Sequence, residues 1–197
     1  FAGWSDGTNI YATGATYTVA GADIILTAQW TAVSYSVTFS SNGATSGTAP
    51  TQPNLNASQT FLVPANPFSK TGFNFTGWND GTRNYSPDSI YTMSAANTVL
   101  VAQWTARGFT ITYNGNENTG GTEPPIGNYV TGSPAYSIAL NTFSKTGHVF
   151  TGWSTAATGP SGTSYAPGSG YTTETTNLVL YARWSPASYT ITYNGNG

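Results

Sequence analysis

Few side chains in this chain can do chemistry, and their spacing decides what that chemistry would be. Lysine occurs only as Lys70 and Lys145, each inside the same Phe-Ser-Lys-Thr-Gly stretch. A lysine buried beside an asparagine and an acid can close an intramolecular isopeptide bond if a carboxyl group is poised to shuttle protons. The acids do not recur with the lysines: Asp80 is matched by Thr155, and Glu123 by Ala49. Each lysine therefore reads as a stem lying over an aromatic strand with its head in water. His148 is the one histidine, and the preceding copy carries Phe73 at its place, so it belongs to no repeated catalytic or metal site. Asp6-Gly7 and Asp80-Gly81 raise calcium, which takes about six to eight oxygens from clustered carboxylates. Seven dispersed acids in the whole chain do not supply that, and the pairs read as turns. No Ser/His/Asp set, phosphate loop or carboxylate pair recurs. No cofactor is implied, and an enzyme is the disfavoured reading.

The aromatic residues offer a second kind of chemistry, stacking on sugars. The six tryptophans fall at positions that recur from copy to copy. That regularity marks Trp4, Trp30, Trp78, Trp104, Trp153 and Trp184, with Phe75 and Phe150, as structural core. Tyrosines recur in pairs six residues apart, Tyr11 with Tyr17, Tyr85 with Tyr91 and Tyr165 with Tyr171. Packing and edge hydrogen bonding explain such pairs first. Tyr11, Tyr85 and Tyr165 remain candidate ligand contacts, and a coplanar exposed row of them would favour glycans. Asn56-Ala57-Ser58, Asn74-Phe75-Thr76 and Asn84-Tyr85-Ser86 match the glycosylation pattern, as chance allows in a chain so rich in Asn and Thr.

The elements that position these residues repeat three times. Phe1-Ala2-Gly3-Trp4 returns as Phe75-Thr76-Gly77-Trp78 and Phe150-Thr151-Gly152-Trp153, at tryptophan spacings of 74 and 75 residues. Ala28-Gln29-Trp30 returns as Ala102-Gln103-Trp104 and Ala182-Arg183-Trp184. Internal periodicity of this kind is the signature of an array of similar modules. It divides the chain into the back half of a module (1–31), two complete modules (35–105 and 109–185) and the opening strand of another (188–197). The longest length difference lies after Trp153, so residues 154–162 are a loop.

Tyr35, Val37 and Phe39 alternate with polar residues, as do Phe109, Ile111 and Tyr113, which predicts a half-buried opening strand. Asn42-Gly43, Asn114-Gly115 and Asn194-Gly195 follow as turn signals. The closing strand puts Leu178, Leu180, Ala182 and Trp184 on one face. Phe75 and Trp78 would face opposite sides of a regular strand, so Gly77 predicts a bulge that turns both to the core. The segments around Pro87 and Pro167 are turn-like, with one short helical turn expected near Asp88–Tyr91. The expected class is mainly β, each module a mixed sheet with at most one short helix.

Composition narrows the setting. Charged residues make up 6% and cysteine is absent, against roughly a quarter charged in an ordinary soluble domain. A net charge of −2 offers no basic surface for nucleic acid, and no apolar run reaches membrane-spanning length. A polar, uncharged, cysteine-free chain rich in Thr, Tyr and Trp reads as an exported surface protein.

Lys70-Thr71-Gly72-Phe73-Asn74-Phe75-Thr76-Gly77-Trp78 followed by Leu100-Val101-Ala102-Gln103-Trp104, and Lys145 to Trp153 followed by Leu180 to Trp184, resemble the Listeria–Bacteroides repeat, the B-repeat of internalin-type surface proteins. The resemblance spans essentially the whole chain. It implies β-grasp-like modules strung in tandem on bacterial surface proteins and adhesins, with no catalytic residues to carry over. His148, Arg183 and the five-residue longer loop depart from the pattern. Two functions are expected. One is a structural spacer of an extracellular stalk, adhesin or fibre, whose partners are neighbouring modules, with head-to-tail or homopolymeric assembly through unpaired end strands. The other is a glycan- or host-protein-binding module that uses the loop tyrosines.

Overall fold

The computed structural model of the protein describes residues 1–173 and 175–197. Among these residues every regular element is a β-strand. The second complete copy is built on a five-stranded mixed sheet. Its strands run, edge to edge, Gly127–Val130, Gly108–Asn114, Leu178–Pro186, His148–Ser154 and Ser164–Tyr165. The opening strand Gly108–Asn114 lies parallel to the closing strand Leu178–Pro186, with Ile111 opposite Leu178 and Tyr113 opposite Leu180. The strand that carries the Gly-Trp block lies antiparallel on the other side of the closing strand. In the first copy the order is Val37–Ser40, Thr98–Ala106, Phe73–Asn79 and Asn84–Tyr85, and the opening and closing strands are again parallel. Two strands parallel in one sheet need a long crossover, and the rest of each module supplies it.

The alternation written in the sequence decides which residues go inside. Phe109, Ile111 and Tyr113 are buried while Thr110 and Thr112 are not. Leu180 and Ala182 are buried on the closing strand, with Leu178 and Trp184 packed against the same cluster. Trp153 closes this core with 0% exposure. The described residues form two compact units. One comprises Phe1–Asn42, Thr48–Pro67 and Gly77–Ala102, with a core of Val37, Phe39, Val63, Trp78, Tyr91, Met93 and Leu100. The other comprises Gly43–Gly47, Phe68–Thr76 and Gln103–Gly197, with its core around Ile111, Tyr129, Ile138, Trp153 and Leu180.

The bulge predicted at the Gly-Trp block is present. Phe150 pairs with Trp184, but Gly152, not Thr151, pairs with Arg183, so one residue is extra. Phe150 and Trp153 then meet on one face, ring centroids 5.1 Å apart. The glycine is obligatory for two reasons. Gly77 and Gly152 have φ of 145° and 144°, a region that side chains avoid, and a Cβ on Gly77 would lie 2.8 Å from the Tyr85 carbonyl oxygen.

Two expectations are corrected. The helical turn near Asp88–Tyr91 does not form; Ile90–Thr92 is a strand paired antiparallel with Thr60–Leu62. Asp88 supplies the tight turn instead, with φ of 62° and its N–H on the Val63 carbonyl at 2.8 Å. Gly168 does the same in the second copy, with φ of 80° and its N–H on Ile138. Cross-strand pairing outweighs the local helical signal. The other correction concerns the asparagine turn. The counterpart of Asn42 is Asn116, not Asn114: both have φ near 50° (50° and 51°), and their amides donate to the Ala102 and Ala182 carbonyls at 2.8 and 2.9 Å.

Removing the indole from a dry, close-packed core leaves a cavity and an unpaired carbonyl. Trp153→Ala should therefore cost on the order of 3–5 kcal/mol, whereas Trp30→Ala, at a side chain 75% exposed, should stay within about 0.5 kcal/mol. Urea midpoints of the two variants would check this.

Candidate functional site

The tryptophans divide into two groups. Trp78 and Trp153 are fully buried, and each indole N–H donates to a carbonyl fourteen residues earlier, Pro64 and Ala139, at 3.0 Å. Phe75, Trp104, Phe150 and Trp184 are half-buried. Phe75 packs edge-on to Trp104 at 5.6 Å, and Phe150 to Trp184 at 5.7 Å. Trp184 also donates to the Gly115 carbonyl at 2.9 Å, just past the opening strand. Trp4 and Trp30 do not lie in a core: they are 43% and 75% exposed. Their sheet has three strands, Ile10–Tyr11, Gly3–Ser5 and Thr27–Gln29, and among the described residues no opening strand pairs beyond Thr27–Gln29 to cover them. Phe1 packs against both, at 5.3 and 5.4 Å.

The recurring tyrosines are tied to the Asp-Gly turns. Asp80 Oδ1 accepts from Thr82 N–H, Thr82 Oγ1 and Arg83 N–H at 2.8, 2.7 and 2.9 Å, and Oδ2 accepts from the Tyr85 hydroxyl at 2.9 Å. Asp6 repeats the arrangement on Thr8, Asn9 and Tyr11 at 2.8, 2.7 and 2.8 Å. Partial burial alone would raise the Asp80 carboxyl; these hydrogen bonds outweigh it and bring its pKa down to about 2. Burial, then the Asp80 hydrogen bond and charge, push Tyr85 up to about 12. Tyr85 also packs against Tyr91 at 4.9 Å, and the Arg83 guanidinium lies 5.2 Å from its ring centre. Tyr11 and Tyr165 pack edge-on against Tyr17 and Tyr171. The three candidate tyrosines are thus half-buried, and each ring is engaged by a second tyrosine.

The second copy replaces the acid with another device. Thr155 and Thr163 pair backbone to backbone at 3.0 Å, as Asp80 and Arg83 do at 3.3 Å, so the longer loop is pinned at the same two ends. Arg183 reaches into that loop. Nη2 donates to the carbonyls of Gly159, Ser161 and Thr158 at 2.8, 3.4 and 3.5 Å and to Ser154 Oγ at 3.2 Å, while Nη1 donates to Ala157 at 3.3 Å. The Asn116 amide adds a bond to Ala157 at 2.9 Å. Two departures from the sequence pattern, the arginine and the long loop, are therefore one feature. The sequence showed both, but nothing in their separation along the chain joined them.

The remaining chemical groups are dispersed. Lys145 pairs with Glu117 at 3.0 Å, Lys70 lies over the Phe73 ring at 4.8 Å, and His148 is exposed with Nδ1 2.9 Å from the Thr146 carbonyl oxygen. Among the described residues no three His, Cys, Asp or Glu side chains gather. Clefts open on the modules. One, of about 660 Å³, is lined by residues that include Asp80, Tyr85, Asn97 and Val99; another, of about 280 Å³, by residues that include Trp153, Tyr165 and Arg183.

Asp80 has a depressed pKa in the folded chain. Its contribution is present above the ordinary value of 3.8 and is lost as pH falls toward about 2. Tyr85 runs the other way: its contribution is present below the ordinary value of 10.0 and is lost as pH rises through about 12. Asp80→Asn should flatten the acid side of the stability profile, read as urea midpoint against pH. Arg183→Gln withdraws several charge-assisted hydrogen bonds and should cost about 1.5–3 kcal/mol. It should also make residues 154–162 the first site cut by a nonspecific protease.

The comparisons with known proteins agree with the repeated architecture. The profile of the Listeria-Bacteroides repeat domain matches residues 35–103 and 109–183. Two proteins of Evansella cellulosilytica are similar in sequence. One, named as a Gly-rich membrane protein, is 33% identical over 137 residues, covering 66% of this chain and 16% of its own. The other, named as a membrane protein, is 30% identical over 164 residues, covering 83% of this chain and 24% of its own. The chain thus spans less than a quarter of the length of either. No solved structure matches, and no helix of the described residues is long and apolar enough to cross a membrane. Matched along both complete copies, and built on the same strand order in each, the chain belongs to the Listeria-Bacteroides repeat domain family.

Proposed function

We propose that the chain is a non-catalytic spacer segment of a bacterial surface protein, a stretch of stalk, adhesin or fibre lying outside the membrane. One observation carries the reading: the groups able to do chemistry are committed to holding each module together. Asp80 is committed to its turn and to Tyr85, Lys145 to Glu117, and Arg183 to its own loop. The second copy keeps the buried tryptophan and the parallel strand pair while changing the loop chemistry, as expected where the framework is what matters. The similarity to proteins named as membrane proteins, of which this chain is a small part, supports a place in the cell envelope.

The modules follow one another through short connections: one residue, Arg107, separates the strands Thr98–Ala106 and Gly108–Asn114. Short linkers limit bending, and in this reading the modules form an extended string whose partners are their own neighbours. Small-angle scattering of the 197-residue chain should give a radius of gyration well above the compact-domain value of about 16 Å. A value at that figure would overturn the string.

A further inference from the structure

We propose that the cleft beside Asp80 is a binding site for a neutral saccharide. The inference does not rest on the spacer reading, since a spacer can carry such a site or lack it. The cleft has a volume of about 660 Å³, within the range of small-molecule sites. It is lined by the Asp80-Gly81-Thr82 turn with Tyr85, by Thr92, Ser94 and Asn97, and by Val99 and Val101.

The lining has the mixture that a pyranose ring presents in return, hydroxyls around a ring with aliphatic C–H faces. Asn97 Oδ1 accepts the Ser36 N–H at 2.9 Å, which orients the amide, and its nitrogen has no protein acceptor among the described residues. Thr92 and Ser94 are exposed, and their hydroxyls make no hydrogen bond to protein among the described residues. Asp80 Oδ2 accepts one hydrogen bond, from the Tyr85 hydroxyl, and a carboxylate oxygen can accept more than one. Asp80 is also held in place by three donors on its other oxygen. Val99 is 51% exposed and supplies aliphatic surface. No lysine, arginine or histidine is among the described residues that line the cleft; the neighbouring cation, Arg83, lies against the Tyr85 ring, and the one charge on the lining, the Asp80 carboxylate, repels phosphate, sulfate and uronate ligands.

Tyr85, a candidate contact from the sequence, lines the cleft and holds Asp80; the amide of Asn97, the hydroxyls of Thr92 and Ser94 and the two valines add partners that the sequence did not single out. The site is also particular to the first copy. At the corresponding places the second copy has Thr155 for Asp80 and Tyr181 for Val101, which removes the fixed acceptor and fills the floor.

The test is a titration of the 197-residue chain with lactose and with N,N′-diacetylchitobiose, followed by residue-resolved NMR, with glucuronate as the charged control. At least one neutral sugar should give saturable shifts at Thr92, Ser94, Asn97, Val99 and Val101, and glucuronate should give none there. Val101→Tyr, a residue the second copy already holds at this strand position, should abolish the shifts with the melting temperature kept. Asn97→Asp keeps the acceptor for Ser36, removes the free donor, and should weaken binding about tenfold. It serves as the test if Val101→Tyr disturbs the fold. Absence of saturable shifts with both sugars, equal binding by both variants, or binding of glucuronate as strong as that of the neutral sugars would each overturn the proposal.

Discussion

The structure depends on keeping one indole dry while giving its N–H a partner. Trp153 and Trp78 reach 0% exposure only because strands lie beside them, a bulge turns them inward and a carbonyl from a distant segment comes within 3.0 Å. An unpaired buried donor would cost a large part of what burying the ring gains. The Ala139 and Pro64 carbonyls are therefore as necessary as the aromatic neighbours. Tyr113 at 4.8 Å from Trp153, and Phe39 at 5.1 Å from Trp78, put the opening strand against the same ring. The same opening strand pairs parallel with the closing strand in both copies.

A chain with 6% charged residues has few ion pairs with which to hold its loops, Lys145 with Glu117 being one. It uses amides, hydroxyls and single charges set among neutral dipoles. The Asn116 amide ties the turn after the opening strand to Ala182 and to the long loop at Ala157. Asp80 organises its turn by accepting four hydrogen bonds, and Arg183 organises a longer one by donating five. The two solutions have opposite charge because the short turn points N–H groups inward and the long loop points carbonyls inward.

This difference also sets what each module presents to solvent. Where the acid and Val101 are kept, a cleft remains beside the closing strand. Where they give way to Thr155 and Tyr181, the arginine-bound loop dominates the same end of the sheet. Variation falls in the loop after the buried tryptophan and at outward positions of the closing strand, while the buried tryptophan, leucine and alanine recur, which is how a repeat array changes surface chemistry without losing its register.

The repeat itself, the all-β class, the inward faces of the opening and closing strands and the bulge at Gly77 and Gly152 were legible in the sequence. Each is a consequence of local periodicity or of a backbone angle that only glycine adopts readily. The tertiary structure decided the rest. It exposed Trp4 and Trp30, identical in local pattern to their buried counterparts, because burial depends on a covering strand and not on the residue. It made Ile90–Thr92 a strand by pairing it with a segment some thirty residues earlier. It matched Asn42 with Asn116 by a shared hydrogen bond that the Asn-Gly dipeptide does not report. And it joined Arg183 to residues 154–161, and Asn97 to Asp80 across a cleft, since groups far apart in the chain become neighbours only through the pairing of the closing strand with the strand that carries the buried tryptophan.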